Sequence, residues 1–436
     1  MADAPDPVPA SAFDSHHPPS DEIIHKCIHC GFCLPACPTY VLWGNEMDSP
    51  RGRVYLISLA SEGAAQMTPQ WVQHFDTCLG CMACMTACPS AVDYGKLIEA
   101  TRAQIERHHP RSVSEKLFRR LLFATFTQPD RLRLLRWPLL AYQKSGLQSL
   151  LRATHLLKLF PKRFQSMEAL LPELSPKEPV QEVTAPQGKK RLRVGLLLGC
   201  VQREFLPQVN AATARVLSAE GCQVLAPSEQ PCCGALLVHA GEEEQALALA
   251  RKTIDAFERQ KVDVIVTNAA GCGSNVKEYG YLLRDDPHYA DRAKAFSAKC
   301  KDVTEILTGM ESRAPRNPLR LRVAFHDSCH LQHAQGVFAQ PRRLLATIPG
   351  LEIAEIPENA ICCGSAGIYN LVQPDAANAL GDRKARLIAS LNADVVATGN
   401  PGCLFQLQSA LRRLGRKTCV VHTIQILDAS INGTAL

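Results

Sequence analysis

Two short stretches decide the fold of the N-terminal quarter of this chain: CIHCGFCLPACP at residues 27–38 and CLGCMACMTACP at residues 78–89. Each has the form C-x2-C-x2-C-x3-C-P. The first supplies Cys27, Cys30, Cys33 and Cys37 before Pro38, and the second supplies Cys78, Cys81, Cys84 and Cys88 before Pro89. Three thiolates at i, i+3 and i+6 wrap one corner of a cuboidal iron–sulfur cluster, while the fourth lies too far along the turn to close the same cage. Zinc is the competing reading. Structural zinc sites use cysteine pairs and four ligands per site, so three evenly spaced cysteines and a Cys-Pro, twice over, suit zinc poorly.

The spacing is that of bacterial two-cluster ferredoxins, in which the fourth cysteine of each run ligates the other cluster. It predicts one [4Fe–4S] cluster on Cys27, Cys30, Cys33 and Cys88, and a second on Cys78, Cys81, Cys84 and Cys37. Between the runs, Asp48-Ser49-Pro50-Arg51-Gly52-Arg53 leads into a helical-looking VYLISLASEG. Arginines there would stabilise the reduced state of an anionic cluster; a solvated turn before a helix is the plainer expectation.

The 436 residues suggest about three domains. An apolar fraction of 46% describes a folded soluble chain. No apolar run approaches the ~18 residues of a membrane span, and the first 21 residues lack the apolar core of a secretory signal. Nineteen cysteines are about 4% of the chain, short of the ~8–10% of a disulfide scaffold. Together these features point to a cytoplasmic protein with reduced, metal-binding thiols. Residues 1–21 read as a disordered N-terminus and 22–101 as the mainly helical, ferredoxin-like domain.

Residues 102–171 read as a basic helical connector. From Arg102 to Arg163 fourteen Lys or Arg face three acids, a net +11 against +6 for the whole chain. Leucines and phenylalanines recur at helical spacing in EKLFRRLLFATF and SLLRATHLLKLF, a pattern suited to an anionic membrane surface, an acidic partner or ordinary packing. No nucleic-acid-binding motif accompanies the charge. Residues 172–191, rich in Pro and charge without periodicity, read as a linker.

Beyond it the pattern repeats. RVGLLLGC, CQVLAP and VDVIVTNAAGC read as strands separated by helices in a first α/β lobe, 192–310; RVAFHDSC, LEIAEIP and ADVVATGNPGC do the same in a second, 318–436. Cys200, Cys232, Cys233 and Cys272 correspond to Cys329, Cys362, Cys363 and Cys403, and each adjacent pair precedes a glycine, Gly234 or Gly364. These cysteines fall at or just beyond the carboxyl ends of strands, where open α/β sheets bind ligands. Four thiols per lobe should converge on one crevice as redox-active groups or ligands. Cys222, Cys300 and Cys419 have no repeat partner and read as packing thiols. His326, His330 and His333 flank Cys329 and read as structural histidines, with ligation or proton donation as the alternative. The expected fold class is α+β overall: a mainly helical two-cluster domain, a helical connector and tandem α/β lobes of the Cys-Cys-Gly type.

These features together resemble the iron–sulfur subunit of the glycolate oxidase (glycolate dehydrogenase) complex. The likeness covers nearly the whole chain and includes CPTY, EMDSPRGRVYLI, NAATARVL, GCGSNVKEYGYLL, LQHAQ and CCGSAGIY. It implies an electron-transfer subunit: flavin-binding partner subunits, carrying the FAD, oxidise glycolate to glyoxylate. This chain passes the electrons toward a membrane acceptor such as quinone from a peripheral position at the inner face of the cytoplasmic membrane. The chain has no convincing flavin fingerprint of its own and is not expected to be catalytic alone. The Cys-Cys-Gly lobes are shared with lactate-utilisation proteins, glycerol-3-phosphate dehydrogenase subunits and heterodisulfide reductase, so a corresponding subunit for another substrate, or a thiol/disulfide enzyme, is the alternative. In heterodisulfide-reductase relatives each lobe ends in C-x-x-C and builds a [4Fe–4S] cluster. Here the first cysteine of that pair is replaced by Ala269 and Asn400, which leaves a third cluster in the lobes open.

Overall fold

A computed structural model describes residues 11–154, 156–174 and 178–436. They form two compact units, one of residues 11–117 with 237–243 and one of 118–236 with 244–436.

The first unit is helical. Pro38–Trp43, Pro50–Ser61 and Pro69–Asp76 each begin with proline, whose missing N–H costs nothing at a helix start. Ser49, Thr68 and Asp93 cap three helices by accepting from the backbone amides of Gly52, Trp71 and Lys96. Ile57, Phe75, Leu97, Ile98 and Ile105 are fully buried, and Cys78 and Cys84 pack in the same apolar cluster. Gly52 is needed where the short 3-10 helix Glu46–Asp48 meets helix Pro50–Ser61: a Cβ there would lie 2.0 Å from the Glu46 carbonyl oxygen.

The expected disordered N-terminus is corrected from residue 11 onward; residues 1–10 lie outside the described residues. Phe13 is buried, the Ala12 amide donates to the Ala60 carbonyl at 2.9 Å, and Asp14 binds Arg107 and His108 of helix Tyr94–His108. A single aromatic residue and a carboxylate supply the anchorage that composition hides.

The second unit holds nine strands among the described residues: β1 Val183–Thr184, β2 Leu192–Leu197, β3 Cys222–Leu225, β4 Val264–Thr267, β5 Cys300–Asp302, β6 Arg322–Phe325, β7 Glu352–Glu355, β8 Val395–Thr398 and β9 Cys419–His422. They form two sheets, ordered β1-β3-β2-β4-β5 and β7-β6-β8-β9, parallel except for the antiparallel β1. Without β1 the orders are identical: second, first, third, fourth strand of each lobe. That doubly wound order reverses direction between the first and third strands, which is where such sheets bind ligands. The inner faces share one core, with Val194 and Leu196 from one sheet and Val323, Phe325, Ile424 and Leu427 from the other lobe.

Three readings of this half change. The linker carries β1, and the Gln187 and Arg191 amides bond to Ser218 and Gly221 carbonyls; residues 175–177 of that stretch lie outside the described residues. The fourth strands β5 and β9, which lack a long apolar run, escape a periodicity reading. Cys222 and Cys300 are buried packing thiols, but Cys419 is exposed at the start of edge strand β9. The connector helices Val113–Phe126, Pro129–Lys144, Leu147–Ala153 and Lys162–Leu170 are present, and from Phe118 onward the connector groups with the lobes. Arg136 donates to the Glu204 carbonyl at 2.6 Å, and Arg412 donates to the Ala169 carbonyl at 2.7 Å. No helix among the described residues is long and apolar enough to cross a membrane.

Asp302 and His422 end the fourth strands in matching register with Thr267 and Thr398 and cap the helices that follow. Burial pushes Asp302 up to about 6 and His422 down to about 4. The neutral His422 ring accepts from the Ile424 amide at Nδ1 and donates to the Asn268 carbonyl at Nε2, 2.7 Å away. As pH falls below about 6.5 the unfolded chain takes the His422 proton first, so His422 costs stability toward pH 4. The Asp302 carboxylate, unfavourable above pH 6, is relieved over the same fall. Relative to His422→Asn, the native chain should therefore lose about 3 kcal/mol between pH 7 and pH 4. Relative to Asp302→Asn it should gain a comparable amount. Denaturant titrations at both pH values check the opposed signs.

Candidate metal centres

In the first unit the cysteine-bearing loops are fixed by groups that reach across the two runs. Arg53, fully buried, donates from Nε to the His74 carbonyl at 2.6 Å. Its Nη atoms donate to the Thr39 and Thr77 hydroxyls, each at 3.2 Å, and approach Cys37 Sγ at 3.9 Å. Thr39 is two residues after Cys37, and Thr77 immediately precedes Cys78. One side chain thus holds the last cysteine of the first run and the first cysteine of the second. Asp48 sits 3.6 Å from Arg53 and accepts from Thr77 and His74. Arg51, by contrast, pairs with Glu46 and donates to the His29 carbonyl at 3.1 Å. Both arginines singled out in the sequence face thiols: Arg53 lies at Cys37 and Cys78, while the Arg51 amide bonds to Cys33 and its guanidinium favours charge on Cys27.

Cysteines of both runs pack in one apolar cluster, Cys78 and Cys84 with Cys27, Cys33 and Cys88. Burial pushes the Cys27 thiol up, the His29 amide opposes it, and the nearby sulfurs of Cys88 and Cys30 push further. Burial likewise drives Cys84 well above the ordinary thiol range, with Cys81, Cys78 and Cys37 adding to it. Charge on the two runs is thus coupled, Cys88 acting on Cys27 and both Cys33 and Cys37 acting on Cys84, while Cys37 also acts on Cys33 of its own run. Cys78 goes the other way: burial pushes it up, but the Arg53 and Arg102 guanidinium groups, the Gly80 amide and the Tyr94 hydroxyl hold it below the usual value. Arg102 donates to the Cys78 and Phe75 carbonyls. The two runs differ in depth. Cys37, Cys78, Cys81 and Cys84 are buried, whereas Cys30 is exposed and Cys27, Cys33 and Cys88 are half-buried. A set of converging thiols in an apolar pocket, with cationic donors beside it, is a donor set that fits anionic iron–sulfur clusters.

The sequence could not place Thr39, Thr77, His74 or Arg102 in this arrangement. Their one legible signal is a place within two residues of a cysteine, which holds for the two threonines alone.

In the second unit each lobe brings its four repeat cysteines together. Strands stop at Leu197, Thr267, Phe325 and Thr398, so the thiols lie a few residues beyond them. Cys272 and Cys403 occupy the first turns of helices Ala270–Lys277 and Pro401–Arg413. Cys200 and Cys232 sulfurs are 3.2 Å apart, and Cys329 and Cys362 sulfurs 3.9 Å. The free thiols of Cys233 and Cys272 share a hydrogen bond, as do those of Cys363 and Cys403. The Cys-Cys-Gly glycine is dictated by the backbone. Gly364 has φ +90°, and a Cβ would meet the Ala377 carbonyl oxygen at 2.6 Å; Gly234 makes the matching turn at φ +85°. The loops after β4 and β8 touch, with the Ala270 amide donating to the Gly399 carbonyl at 3.0 Å and the Gly271 amide to Asn400 Oδ1 at 3.2 Å.

The lobes are not electrostatic copies. In the first, the Cys200 hydrogen bond favours charge on Cys232, the counterpart of Cys362, but the Cys233 hydrogen bond and burial drive it above the ordinary thiol range. In the second, hydrogen bonds from Cys329 and Cys363 hold Cys362 well below it. Cys403 is drawn down to about 5 by its hydrogen bond with Cys363, against burial, with the His326 imidazole contributing. Lys384, buried and bonded to the Glu358 carbonyl at 2.7 Å, adds a cation near Cys362 and Cys363. Nothing in the sequence flagged it.

The three histidines separate. His333 bonds to the Ala360 carbonyl at 3.1 Å and is structural; His330 Nδ1 lies 3.5 Å from Cys329 Sγ. His326, read as structural from sequence, has no oxygen or nitrogen partner at its ring and instead groups with Cys363 and Cys403, hydrogen-bonding to the latter.

Comparison with known proteins agrees with this architecture. Residues 23–92 match a 4Fe-4S dicluster domain, and residues 194–277 and 323–408 a cysteine-rich domain. Residues 114–171 match the linker region of the glycolate oxidase iron–sulfur subunit. A glycolate oxidase iron–sulfur subunit of Escherichia coli is 37% identical over 417 residues, covering 94% of this chain and 95% of that protein. A probable glycolate oxidase iron–sulfur subunit of Bacillus subtilis is 36% identical over 411 residues, covering 92% and 93%. Lactate utilization protein A of Bacillus subtilis is 28% identical over 241 residues, 55% of this chain and all of that protein. With iron–sulfur donor sets in an α+β frame and relatives matching end to end, the chain belongs to the family of glycolate oxidase iron–sulfur subunits.

Proposed function

We propose that the chain is the electron-transfer arm of a glycolate-oxidising complex, carrying electrons from a flavin-bearing partner subunit toward a membrane acceptor such as quinone. The observation that carries this reading is the packing of cysteines from both runs into one apolar cluster, with Arg53 reaching Thr39 near Cys37 and Thr77 beside Cys78. Cys27, Cys30, Cys33 and Cys88 would hold one [4Fe–4S] cluster, and Cys78, Cys81, Cys84 and Cys37 the other. Such clusters, when bound, accept and release single electrons. The protein's part is to set potential and exclude water: Arg53 and Arg102 favour negative charge at the buried set, and Phe75, Leu97 and Ile98 wall it from solvent. At the shallow set, exposed Cys30 is flanked by Ile28 and Phe32, both about two-thirds exposed. That apolar rim is suited to close approach of a redox partner. FAD and the hydroxy-acid pocket belong to partner subunits on this reading. The Cys-Cys-Gly lobes retain a further redox centre.

The connector would bring the subunit to the cytoplasmic face of the membrane. Leu121, Leu134 and Trp137 are each more than three-fifths exposed, with the exposed bases Arg120 and Arg131 close by in sequence. Apolar and basic side chains together suit an anionic lipid surface.

Three outcomes test this. Cys37→Ser should disturb the spectrum of the cluster on Cys78, Cys81 and Cys84 and leave the other intact; damage confined to the Cys27 set would reverse the assignment, and zinc with no visible absorbance would remove it. The isolated chain should oxidise no glycolate, because hydride or carbanion chemistry needs an organic cofactor; flavin subunits added back should restore glycolate-dependent dye reduction, and turnover by the single chain would end the relay reading. Finally, Arg120→Glu with Arg131→Glu should weaken co-sedimentation with anionic vesicles more than tenfold, at ~1 kcal/mol per basic residue. Arg119 and Arg136 are unsuitable for reversal because both are buried.

A further inference from the structure

The two Cys-Cys-Gly lobes share a backbone plan but differ in what surrounds the thiols. Counting from the repeat cysteines Cys200 and Cys329, the residue three before is Leu197 in the first lobe and His326 in the second. His326 directly follows β6, and its amide donates to the Ala397 carbonyl at 2.8 Å. The backbone there is therefore locked into the sheet. The side chain is 1% exposed. Among the described residues neither ring nitrogen has a hydrogen-bonding oxygen or nitrogen. A buried imidazole with no oxygen or nitrogen partner has only the sulfurs beside it to replace the hydrogen bonds it would make in water. What stands beside it is sulfur: one ring nitrogen, Cys363 Sγ and Cys403 Sγ all lie within 4.8 Å of one another. Imidazole nitrogen and thiolate sulfur at that separation are the donors of a metal site.

The same place is where the second lobe lacks a thiol. Asn400, three before Cys403, does not replace it. Its Oδ1 accepts from the Gly271 amide, which turns Nδ2 toward Cys403 Sγ at 3.6 Å as a donor. The first lobe has Ala269 at that position and Leu197 opposite His326, so it offers no substitute. Its Cys200 and Cys232 sulfurs lie in mutual contact instead, at 3.2 Å.

We propose that the second lobe alone builds an iron centre, in which His326 supplies a nitrogen ligand beside Cys363 and Cys403, with Cys329 and Cys362 completing the set. The inference rests on the reading that the lobes retain a redox centre, and it says which lobe, and through which atom. A neutral imidazole in place of a thiolate removes one negative charge from the ligand shell and raises the reduction potential, as histidine ligation does in other iron–sulfur centres. A centre of that kind is an electron sink relative to all-thiolate clusters, which suits the exit end of a relay.

The test uses the full chain purified anaerobically, with iron analysis and pulsed EPR of the paramagnetic state. The native chain should carry iron beyond the about eight atoms of two [4Fe–4S] clusters, and that excess should show nitrogen coupling that 15N-labelled histidine alters. His326→Leu, the first-lobe residue, should lose the excess iron and the coupling while the about eight remain. His326→Cys should keep the excess iron, lose the coupling and lower the potential. Cys403→Ser should lose the excess, and Cys272→Ser should not. If the excess iron survives in His326→Leu with no nitrogen coupling in the native chain, while Cys403→Ser abolishes it, the ligand assignment is wrong and the retained centre stands. If Cys272→Ser removes it as well, the second lobe does not act alone. Native protein with only about eight irons would overturn both the assignment and the reading beneath it.

Discussion

Arg53 is the constraint on which the first unit depends. A guanidinium with five fixed donors can satisfy a carbonyl and two hydroxyls at once, and here those acceptors belong to segments that carry cysteines far apart in sequence. Burying that charge is tolerable because Asp48 lies beside it and its fork is fully used. Removing one partner of such a buried pair typically costs 3–5 kcal/mol. The motif EMDSPRGR is legible in this light. Glu46 holds Arg51, Ser49 and Pro50 start the helix, Gly52 lets the 3-10 turn pack against it, and Arg53 enters the core.

The same economy of means appears in the second unit, where two copies of one βαβ plan share a core. Equivalent strand order puts the first and third strands of each lobe side by side, and the loops leaving them converge. Backbone geometry explains the invariant parts of the repeat, above all the glycine after each cysteine pair. Side chains explain the differences. Leu197 against His326 and Ala269 against Asn400 make one thiol set apolar and the other polar, within frames that otherwise superimpose in topology.

The connector illustrates how burial separates residues that look alike in sequence. Arg119 and Arg136 are as basic as Arg120 and Arg131, yet the first pair is buried, with Arg119 over the Phe123 ring and Arg136 on the Glu204 carbonyl. Leu132 is fully buried two residues before exposed Leu134. A charge count describes the segment as a whole; only packing shows which part of that charge faces water.

The sequence by itself determined the doubled cysteine spacing, the tandem lobes and the core strands of both sheets, because spacing along a turn and apolar runs in buried parallel strands are local properties. It did not reveal that residues 11–20 are anchored, that β1, β5 and β9 complete the sheets, or that His326 stands with the thiols while His333 bonds a carbonyl. Those outcomes turn on partners distant in the chain: Gln104 and Arg107 for Asp14, Cys363 and Cys403 for His326. Short edge strands lack the apolar run that announces a central one. A histidine a few residues from a cysteine in sequence has the same letters whether its ring meets a carbonyl or a sulfur. That choice is made by the direction in which the folded backbone aims the side chain, which tertiary structure alone decides.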